Sequence, residues 1–277
     1  MRRLLIRPGA IGDFIVSLPA LESLATDDGE VWTAAANVPL VRFGPKARSI
    51  ASSGLDWLEI DPARAPGGLS ANLRRFDSII SWYGANRAQF RDAVARLNLR
   101  FEFLDPLPPE GPLHGADFYL RQALALGGRT VDAAPRIRCE AQPAPNVIFH
   151  PFSGSPRKNW PLAYFENAAA ALSRRWTVGW TAGPDEPLDG ATRFESLGDL
   201  AGWLAGARLF IGNDSGIAHL AAAVGVPVIA IFGPTDERVW APRGPFVRVL
   251  RPPERGDPLE ALSVRTVIEA AEEMLRR

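Results

Sequence analysis

Small and charged side chains collect in four loops of the sequence, each of which follows a short apolar run. These loops are residues 7–13 (RPGAIGD), 150–161 (HPFSGSPRKNWP), 182–186 (AGPDE) and 212–219 (GNDSGIAH). Their acidic side chains could accept a proton or bind sugar hydroxyls. Their hydroxyls, their one ammonium and free backbone N–H groups could bind a phosphate. The loops therefore indicate a site for an anionic, hydroxyl-bearing substrate.

Asp13 ends the first of these loops, at the point where a strand gives way to a helix. A carboxylate there could lie at the floor of a cleft and act as a general base. The alternative is a helix N-cap or a first-turn acid without a chemical role. Gly9 and Gly12 allow a tight turn beside it, but their spacing is not GxGxxG, so a dinucleotide-binding dehydrogenase is not supported.

The second and third loops carry hydroxyl, ammonium and carboxylate groups. Ser153, Ser155 and Lys158 could bind phosphate oxygens, and Lys158 is one of only two lysines in the chain. The alternative for these three residues is a surface turn that precedes a helix near residue 161. Glu186 could accept hydrogen bonds from ribose hydroxyls, as acids after strands do in nucleotide-binding folds, or it could be a solvated turn acid.

The fourth loop runs into a predicted helix that begins at Ser215 or Gly216. The first N–H groups of such a helix are free and its dipole is positive there, which favours an anion. Asp214 and Ser215 can cap the helix, and His219 lies on the same face as Ser215. The alternative for His219 is a packed helical histidine. Gly233 lies in a Gly-Pro turn after the next buried strand and is expected near the same cleft.

Strands and helices are predicted to alternate along the chain, which favours parallel α/β layers. The expected strands are residues 3–7, 30–36, 55–60, 77–82, 147–150, 176–181, 207–212 and 226–232. The expected helices are residues 14–25, 87–99, 116–127, 161–175, 199–206, 215–224 and 258–275. Pro19 is expected to kink the first helix or to mark its effective start.

A proline-rich stretch at residues 133–146 is expected to link two domains, residues 1–140 and 146–277. The last helix, about residues 258–277, could pack back on the first domain. Ligands of open α/β sheets bind beyond the carboxyl ends of the strands. Two such halves therefore predict a ligand in a cleft between them.

Composition excludes several classes of protein. Lys and Arg number 31 and Asp and Glu number 31, and this balance argues against a nucleic-acid binder. One cysteine, Cys139, cannot form an intrachain disulfide, which fits a reducing cytoplasm. Three widely spaced histidines make a metal site improbable. No apolar run reaches the roughly 18 residues of a membrane span, and the N-terminus is interrupted too early for a signal peptide.

Four arginines, Arg87, Arg91, Arg96 and Arg100, fall in one predicted helix. They could form an ordinary solvated face. The alternative is contact with an anionic acceptor or with a membrane surface.

Three segments together resemble glycosyltransferase family 9, the ADP-heptose:lipopolysaccharide heptosyltransferases. They are residues 7–21, 150–161 and 207–242. The run D-S-G-x-x-H-L-A-A-A…G-P-T-D is quite specific for the family, and the N-terminal G-A-x-G-D…L-P-A-L is moderately so. The two runs occur in the expected order, and the resemblance extends over the whole chain.

The resemblance implies a GT-B fold, an α/β architecture of two Rossmann-like domains whose parallel sheets face an inter-domain cleft. It implies an inverting, metal-independent transfer of a sugar, heptose in this family, from an ADP-linked nucleotide sugar, with no further cofactor. The acceptor would be a saccharide or glycolipid of the lipopolysaccharide core or a related cell-surface glycan. The location would be the cytoplasm, with peripheral contact at the inner face of the cytoplasmic membrane as a further expectation.

The resemblance also assigns roles by position. Asp13 matches the general base at the acceptor hydroxyl, and Glu186 matches the acid that binds ribose. The diphosphate binders would be Ser153, Ser155 and Lys158, and the donor loop would be Asp214, Ser215, Gly216 and His219.

Two other functions remain open at this level. A GT-B epimerase acting on a nucleotide sugar would need no acceptor, so product analysis with the donor alone would identify it. A non-catalytic protein that binds nucleotide sugars would bind the nucleotide and transfer nothing.

Overall fold

The computed structural model describes residues 1–61 and 68–276, and it divides into two compact units. The first unit is Met1–Ala133 and the second is Ala134–Arg277. Each unit is built on one sheet of five parallel strands. Parallel strands must be joined by crossover segments, and here these are mostly helices.

In the first unit the strand order is β3-β2-β1-β4-β5. The strands are β1 (Arg3–Ile6), β2 (Glu30–Thr33), β3 (Lys46–Ser49), β4 (Ser78–Ser81) and β5 (Phe101–Phe103). The chain adds β2 and β3 on one side of β1 and then places β4 on the other side. The order of the strands therefore reverses between β1 and β4, where the loops leave a crevice at the carboxyl ends of the strands.

The helices of the first unit surround this sheet. They are α1 (Ile11–Leu24), α2 (Trp57–Ile60), α3 (Leu69–Leu73), α4 (Ala88–Arg96) and α5 (Gly115–Ala125). Helices α1 and α5 pack against each other, and α1 is buried along most of its length. Helix α1 continues through Pro19 and begins at Ile11, so the expectation that Pro19 marks its start is wrong.

The strand expected at residues 55–60 is also wrong, because Trp57–Ile60 form the short helix α2. Leu55 and Leu58 are both 1% exposed and belong to the same apolar cluster. Their spacing of three residues places both on one side of a helical turn. Gly54, at a φ of 76°, provides the turn that starts this segment. Strand β3, which the sequence did not predict, is a polar edge strand.

In the second unit the strand order is β10-β9-β8-β6-β7. The strands are β6 (Val147–His150), β7 (Val178–Trp180), β8 (Leu209–Asn213), β9 (Val228–Ile231) and β10 (Val247–Leu250). Strands β6, β8 and β9 are buried at every residue, which explains their continuous apolar sequences. The order reverses between β6 and β8, so the loops after these two strands flank the crevice of this unit.

The helices of the second unit are α6 (Leu162–Leu172), α7 (Leu197–Ala205), α8 (Gly216–Ala223), α9 (Glu237–Trp240) and α10 (Val264–Leu275). Helix α10 packs against α6 and β8 of its own unit. Val267, Ala271 and Leu275 of this helix belong to the core of that unit. That α10 also packs on the first domain remains a prediction.

The predicted α/β class, with two Rossmann-like parallel sheets, is confirmed. Among the residues that the structure describes, no helix is both long and apolar enough to cross a bilayer.

Candidate functional site

Asp13 lies at the third residue of α1, beside the crevice where the strand order of the first unit reverses. Its side chain is half-buried, and as a first-turn acid it sits at the positive end of the helix dipole. Arg7, which follows β1, is 4% exposed and its Nη2 lies 3.4 Å from the carbonyl oxygen of Asp13. The start of the helix therefore carries a buried guanidinium next to the candidate base.

The glycines of this loop have different roles. Gly9 has a φ of 143°, a conformation that favours glycine, and its carbonyl oxygen accepts a hydrogen bond from Asn37 at 3.1 Å. Gly12 is the second residue of α1 and directly precedes Asp13. Gly9 thus shapes the loop, and Gly12 lies within the first turn of the helix that carries the carboxylate.

The loop after β6 is held in place by its own polar groups. The Ser153 hydroxyl lies 2.8 Å from the carbonyl oxygen of Ser155 and 2.7 Å from Oδ1 of Asn159. One hydroxyl proton serves only one of these two acceptors at a time, and both keep the Ser153 side chain turned into its own loop. Gly154 is exposed, and a Cβ there would meet no atom within 4 Å. Ser153 thus shapes the loop, and the backbone at Gly154 is open to a ligand.

Lys158 and Asp214 face each other across the crevice of the second unit. The Lys158 ammonium lies 2.8 Å from Oδ2 of Asp214, although 56 residues separate the two in sequence. The approach is off the direction of a hydrogen bond, so the interaction is an ion pair. Asp214 is 7% exposed and Lys158 is 32% exposed at the side chain. The ammonium is therefore fixed by a buried carboxylate and is still open to solvent.

Helix α8 begins beside this pair. Ser215 is its N-cap, and its hydroxyl accepts from the amide of Ala218 at 3.3 Å. Within residues 1–61 and 68–276, no acceptor is bonded to the amides of Gly216 and Ile217. Such first-turn amides bind anions readily. His219 is 6% exposed on the same helix.

Asn213 fixes the two crevice loops to each other. Its Oδ1 accepts from the amide of Trp160 at 3.0 Å, and its Nδ2 donates to the carbonyl oxygen of Pro151 at 2.7 Å. Asn213 is fully buried, so both bonds are shielded from water. Lys158 and Asp214 are consequently held at a fixed separation by the backbone on either side of them.

Glu186 is not a solvated turn acid. Its Oε2 accepts from the amide of Gly183 at 2.5 Å and lies 3.1 Å from Nε2 of His150, the last residue of β6. Burial opposes ionisation of Glu186. The hydrogen bonds from His150 and Gly183, together with the charge of Arg193, outweigh that effect and lower the pKa of Glu186.

This lowered pKa predicts a pH-dependent stability. A carboxyl whose pKa is lower in the folded state than in the unfolded state stabilises the fold at pH values above its unfolded-state pKa. This contribution is lost as the pH falls through the folded-state pKa. The difference in unfolding free energy between the native chain and Glu186→Gln should therefore become smaller as the pH falls below the ordinary pKa of a glutamate, because the native carboxylate is then protonated. Urea denaturation at several pH values measures it. Asp185→Asn, an exposed residue on the same loop, is the control, and a difference independent of pH would contradict the prediction.

Gly233 is packed against another element of its own unit. A Cβ at this position would lie 3.1–3.2 Å from the side chain of Leu259. Gly233, Pro234 and Leu259 contribute to the lining of a cavity of about 360 Å³ that also reaches Arg157 and Asn159. This glycine thus permits close packing next to the loop that carries Lys158.

The set of four arginines does not form one helical face. Helix α4 contains Arg91 and Arg96, whereas Arg87 is its N-cap and Arg100 lies beyond its end. Arg87 is ion-paired with Glu59 and lies 3.5 Å from Asp56. The prediction of one helix carrying all four residues is wrong, because the helix ends at Arg96.

Two residues of this site were missed by the sequence analysis, His150 and Asn213. Both are the last residues of buried strands that flank the reversal of strand order. A polar residue that ends an otherwise apolar strand is the signal that could have identified them.

A family comparison decides how these two units are classified. The model described as glycosyltransferase family 9 (heptosyltransferase) matches residues 116–259, which are 144 of the 277 residues. The chain belongs to glycosyltransferase family 9. The resemblance predicted from the sequence is therefore confirmed. The match covers the loops that carry Ser153, Lys158, Glu186 and Asp214, and it does not include Asp13.

Curated lipopolysaccharide heptosyltransferases are among the relatives of the chain. It is 30% identical over 204 residues to lipopolysaccharide heptosyltransferase 1 of Pseudomonas aeruginosa. The aligned region covers 68% of this chain and 50% of the relative. It is 48% identical over 116 residues to lipopolysaccharide heptosyltransferase 3 of Escherichia coli, and this aligned region covers 35% of this chain and 33% of the relative. The chain thus spans half or less of the length of these two relatives.

Solved heptosyltransferase structures share the fold of the chain. Escherichia coli heptosyltransferase WaaC with ADP superposes with a TM-score of 0.72 at 19% identity, covering 99% of this chain and 100% of that one. Escherichia coli ADP-heptose lps heptosyltransferase II gives a TM-score of 0.74 at 18% identity, and the superposition covers 100% of this chain and 99% of that one. At such identities the likeness establishes the fold.

Proposed function

We propose that this chain is a glycosyltransferase that transfers heptose from ADP-heptose to a saccharide or glycolipid of the lipopolysaccharide core or a related cell-surface glycan. The observation that carries the proposal is the Lys158–Asp214 pair beside the free amides of α8, in a member of glycosyltransferase family 9. The names of the Pseudomonas aeruginosa and Escherichia coli relatives support the choice of sugar and acceptor.

The diphosphate of the donor is proposed to bind at the crevice of the second unit. Gly216 and Ile217 offer two N–H donors at the positive end of a helix dipole, and Lys158 adds a full positive charge. Ser155 and the open backbone at Gly154 lie on the facing loop. Asp214 holds the ammonium in place, and Glu186 is proposed to bind the ribose.

The chemical step is a displacement at the anomeric carbon. The acceptor oxygen forms a bond to that carbon, and the bond from the carbon to the diphosphate oxygen breaks. Asp13 takes the proton of the acceptor hydroxyl as the new bond forms, because a carboxylate is too weak a base to deprotonate a sugar hydroxyl beforehand. Attack from the face opposite the leaving group inverts the configuration.

The leaving diphosphate gains negative charge in the transition state. The amides of α8 and the ammonium of Lys158 are fixed donors that can stabilise this charge. These groups supply the positive charge that a divalent metal supplies in other transferases, so we propose a metal-independent reaction without a further cofactor. We also propose a cytoplasmic location with peripheral contact at the inner membrane face, where an acceptor of the glycolipid type would lie.

A transfer assay tests the proposal. The chain is incubated with ADP-heptose and a lipopolysaccharide-core acceptor, and ADP release and the acceptor mass are measured with and without EDTA. The expected result is ADP release together with an acceptor that gains one heptose, unchanged by EDTA. Strict dependence on Mg²⁺ would contradict the metal-independent step. Isomerised sugar without acceptor would indicate an epimerase, and ADP binding without turnover would indicate a non-catalytic binding protein.

A further inference from the structure

The two oxygens of the Glu186 carboxylate have different surroundings. Both of its hydrogen-bond donors, the amide of Gly183 and Nε2 of His150, meet the same oxygen, Oε2. Within residues 1–61 and 68–276, no donor is bonded to Oε1. The side chain is 28% exposed, so a ligand can reach it. One oxygen therefore fixes the carboxylate and the other is left to accept hydrogen bonds.

His150 orients this carboxylate from a rigid position. It is the last residue of β6 and its side chain is 4% exposed. A proton on Nε2 lets the ring donate to Glu186, which leaves Nδ1 as a buried acceptor without a partner in the described part of the chain. A buried polar atom without a partner is unfavourable. The orientation of the ring therefore serves the bond from Nε2 to Glu186, although it leaves Nδ1 without a partner among the described residues.

The loop that carries Glu186 is closed independently of His150. Arg193 donates to the carbonyl oxygen of Glu186 at 2.7 Å and to that of Leu188 at 3.1 Å. Thr181 donates through its hydroxyl to the carbonyl oxygen of Thr192 at 3.0 Å, at the base of the loop. The backbone of the loop should consequently keep its conformation when the side chain of His150 is replaced.

We propose that His150 is a positioning residue that fixes Oε2 of Glu186 so that Oε1 accepts the two hydroxyls of the nucleotide ribose. This inference rests on the proposed function, because it concerns the nucleotide of the same donor. The two hydroxyl donors of a ribose diol match the two lone pairs of a free carboxylate oxygen. His150 thereby sets the preference for a ribonucleotide over one that lacks the diol.

Calorimetric titration with ADP and with 2′,3′-dideoxy-ADP tests the proposal. The native chain should bind ADP about tenfold or more tightly than the dideoxy compound, because hydrogen bonds to a carboxylate are lost with the diol. In His150→Leu this ratio should fall toward one, while the affinity for 2′,3′-dideoxy-ADP stays unchanged. A general disturbance of the site would instead weaken both ligands alike.

The conservative variant and the partner variant complete the test. His150→Gln keeps an N–H near the position of Nε2 and should restore most of the ratio. In a Glu186→Ala background, His150→Leu should have no further effect on the ratio. Thermal unfolding checks that each variant folds, and His150→Asn, whose amide is too short to reach Oε2, replaces the leucine variant if that one does not.

The outcomes separate this inference from the proposed function. A native chain that does not bind ADP would overturn the proposed function. A native chain that binds ADP with a ribose preference that survives His150→Leu would overturn only the role of His150.

Discussion

Asp13→Asn should lower the rate of sugar transfer by about 10²–10⁴-fold and leave the affinity for ADP unchanged. The amide has nearly the shape of the carboxylate, so α1 and its first turn should be preserved. It cannot accept the proton of the acceptor hydroxyl, so the chemical step loses its base. Single-turnover transfer with ADP-heptose and an acceptor measures the rate, and calorimetry with ADP measures the affinity.

The matched control for this variant is Asp28→Asn. Asp28 is an exposed acid in the turn that follows α1, so its replacement makes the same change in charge within the same unit. Its transfer rate should equal that of the native chain. Normal transfer by Asp13→Asn would remove Asp13 from the mechanism, and an equal loss in both variants would show a general effect of charge.

Lys158→Ala should lower kcat by about 10²-fold and weaken ADP binding by about tenfold. The effect on kcat should be larger, because the leaving diphosphate carries more charge in the transition state than in the bound donor. The affinity for adenosine, which has no phosphate, should be unchanged. Transfer kinetics and calorimetry with ADP and adenosine measure the three quantities.

Removal of this ammonium also leaves Asp214 without its charge partner. Asp214 is 7% exposed, and an unpaired buried carboxylate destabilises a fold. Lys158→Ala/Asp214→Asn removes that complication and should still lose ADP affinity, although less than Lys158→Ala, because no unpaired carboxylate then repels the diphosphate. Lys46→Ala, at the other lysine of the chain, is the control, because Lys46 is exposed on the edge strand β3. Unchanged ADP affinity in both Lys158 variants would exclude a phosphate-binding role.

The architecture could be predicted where hydrophobic patterning is unambiguous. Continuous apolar runs such as residues 228–231 are typical of strands buried on both faces, and the glycine and proline that follow this run favour a strand over a helix. Residues 55–60 were mistaken for a strand because a largely apolar segment of six residues is too short for its periodicity to distinguish a strand from a helix. The edge strand β3 was not predicted because it is largely polar and partly exposed, so it has no apolar pattern.

The loops of the site could be located from the sequence, but their contacts could not. Lys158 meets Asp214 across 56 residues, and Glu186 meets His150 across 36 residues. Such pairs depend on the order in which strands join the sheet, and no local pattern encodes that order. The ends of β6 and β8 become neighbours only because these strands are adjacent in the sheet.

The division of the chain into two units has a consequence for how such a protein can change over evolution. Every contact described around Lys158, Asp214 and Glu186 is made by residues of Ala134–Arg277. The surroundings of Asp13 belong to Met1–Ala133, which has an apolar core of its own. Under the proposed function, mutations that change the acceptor bound by the first unit can therefore accumulate while the donor-binding residues of the second unit stay the same, so that new glycans become reachable without a new donor.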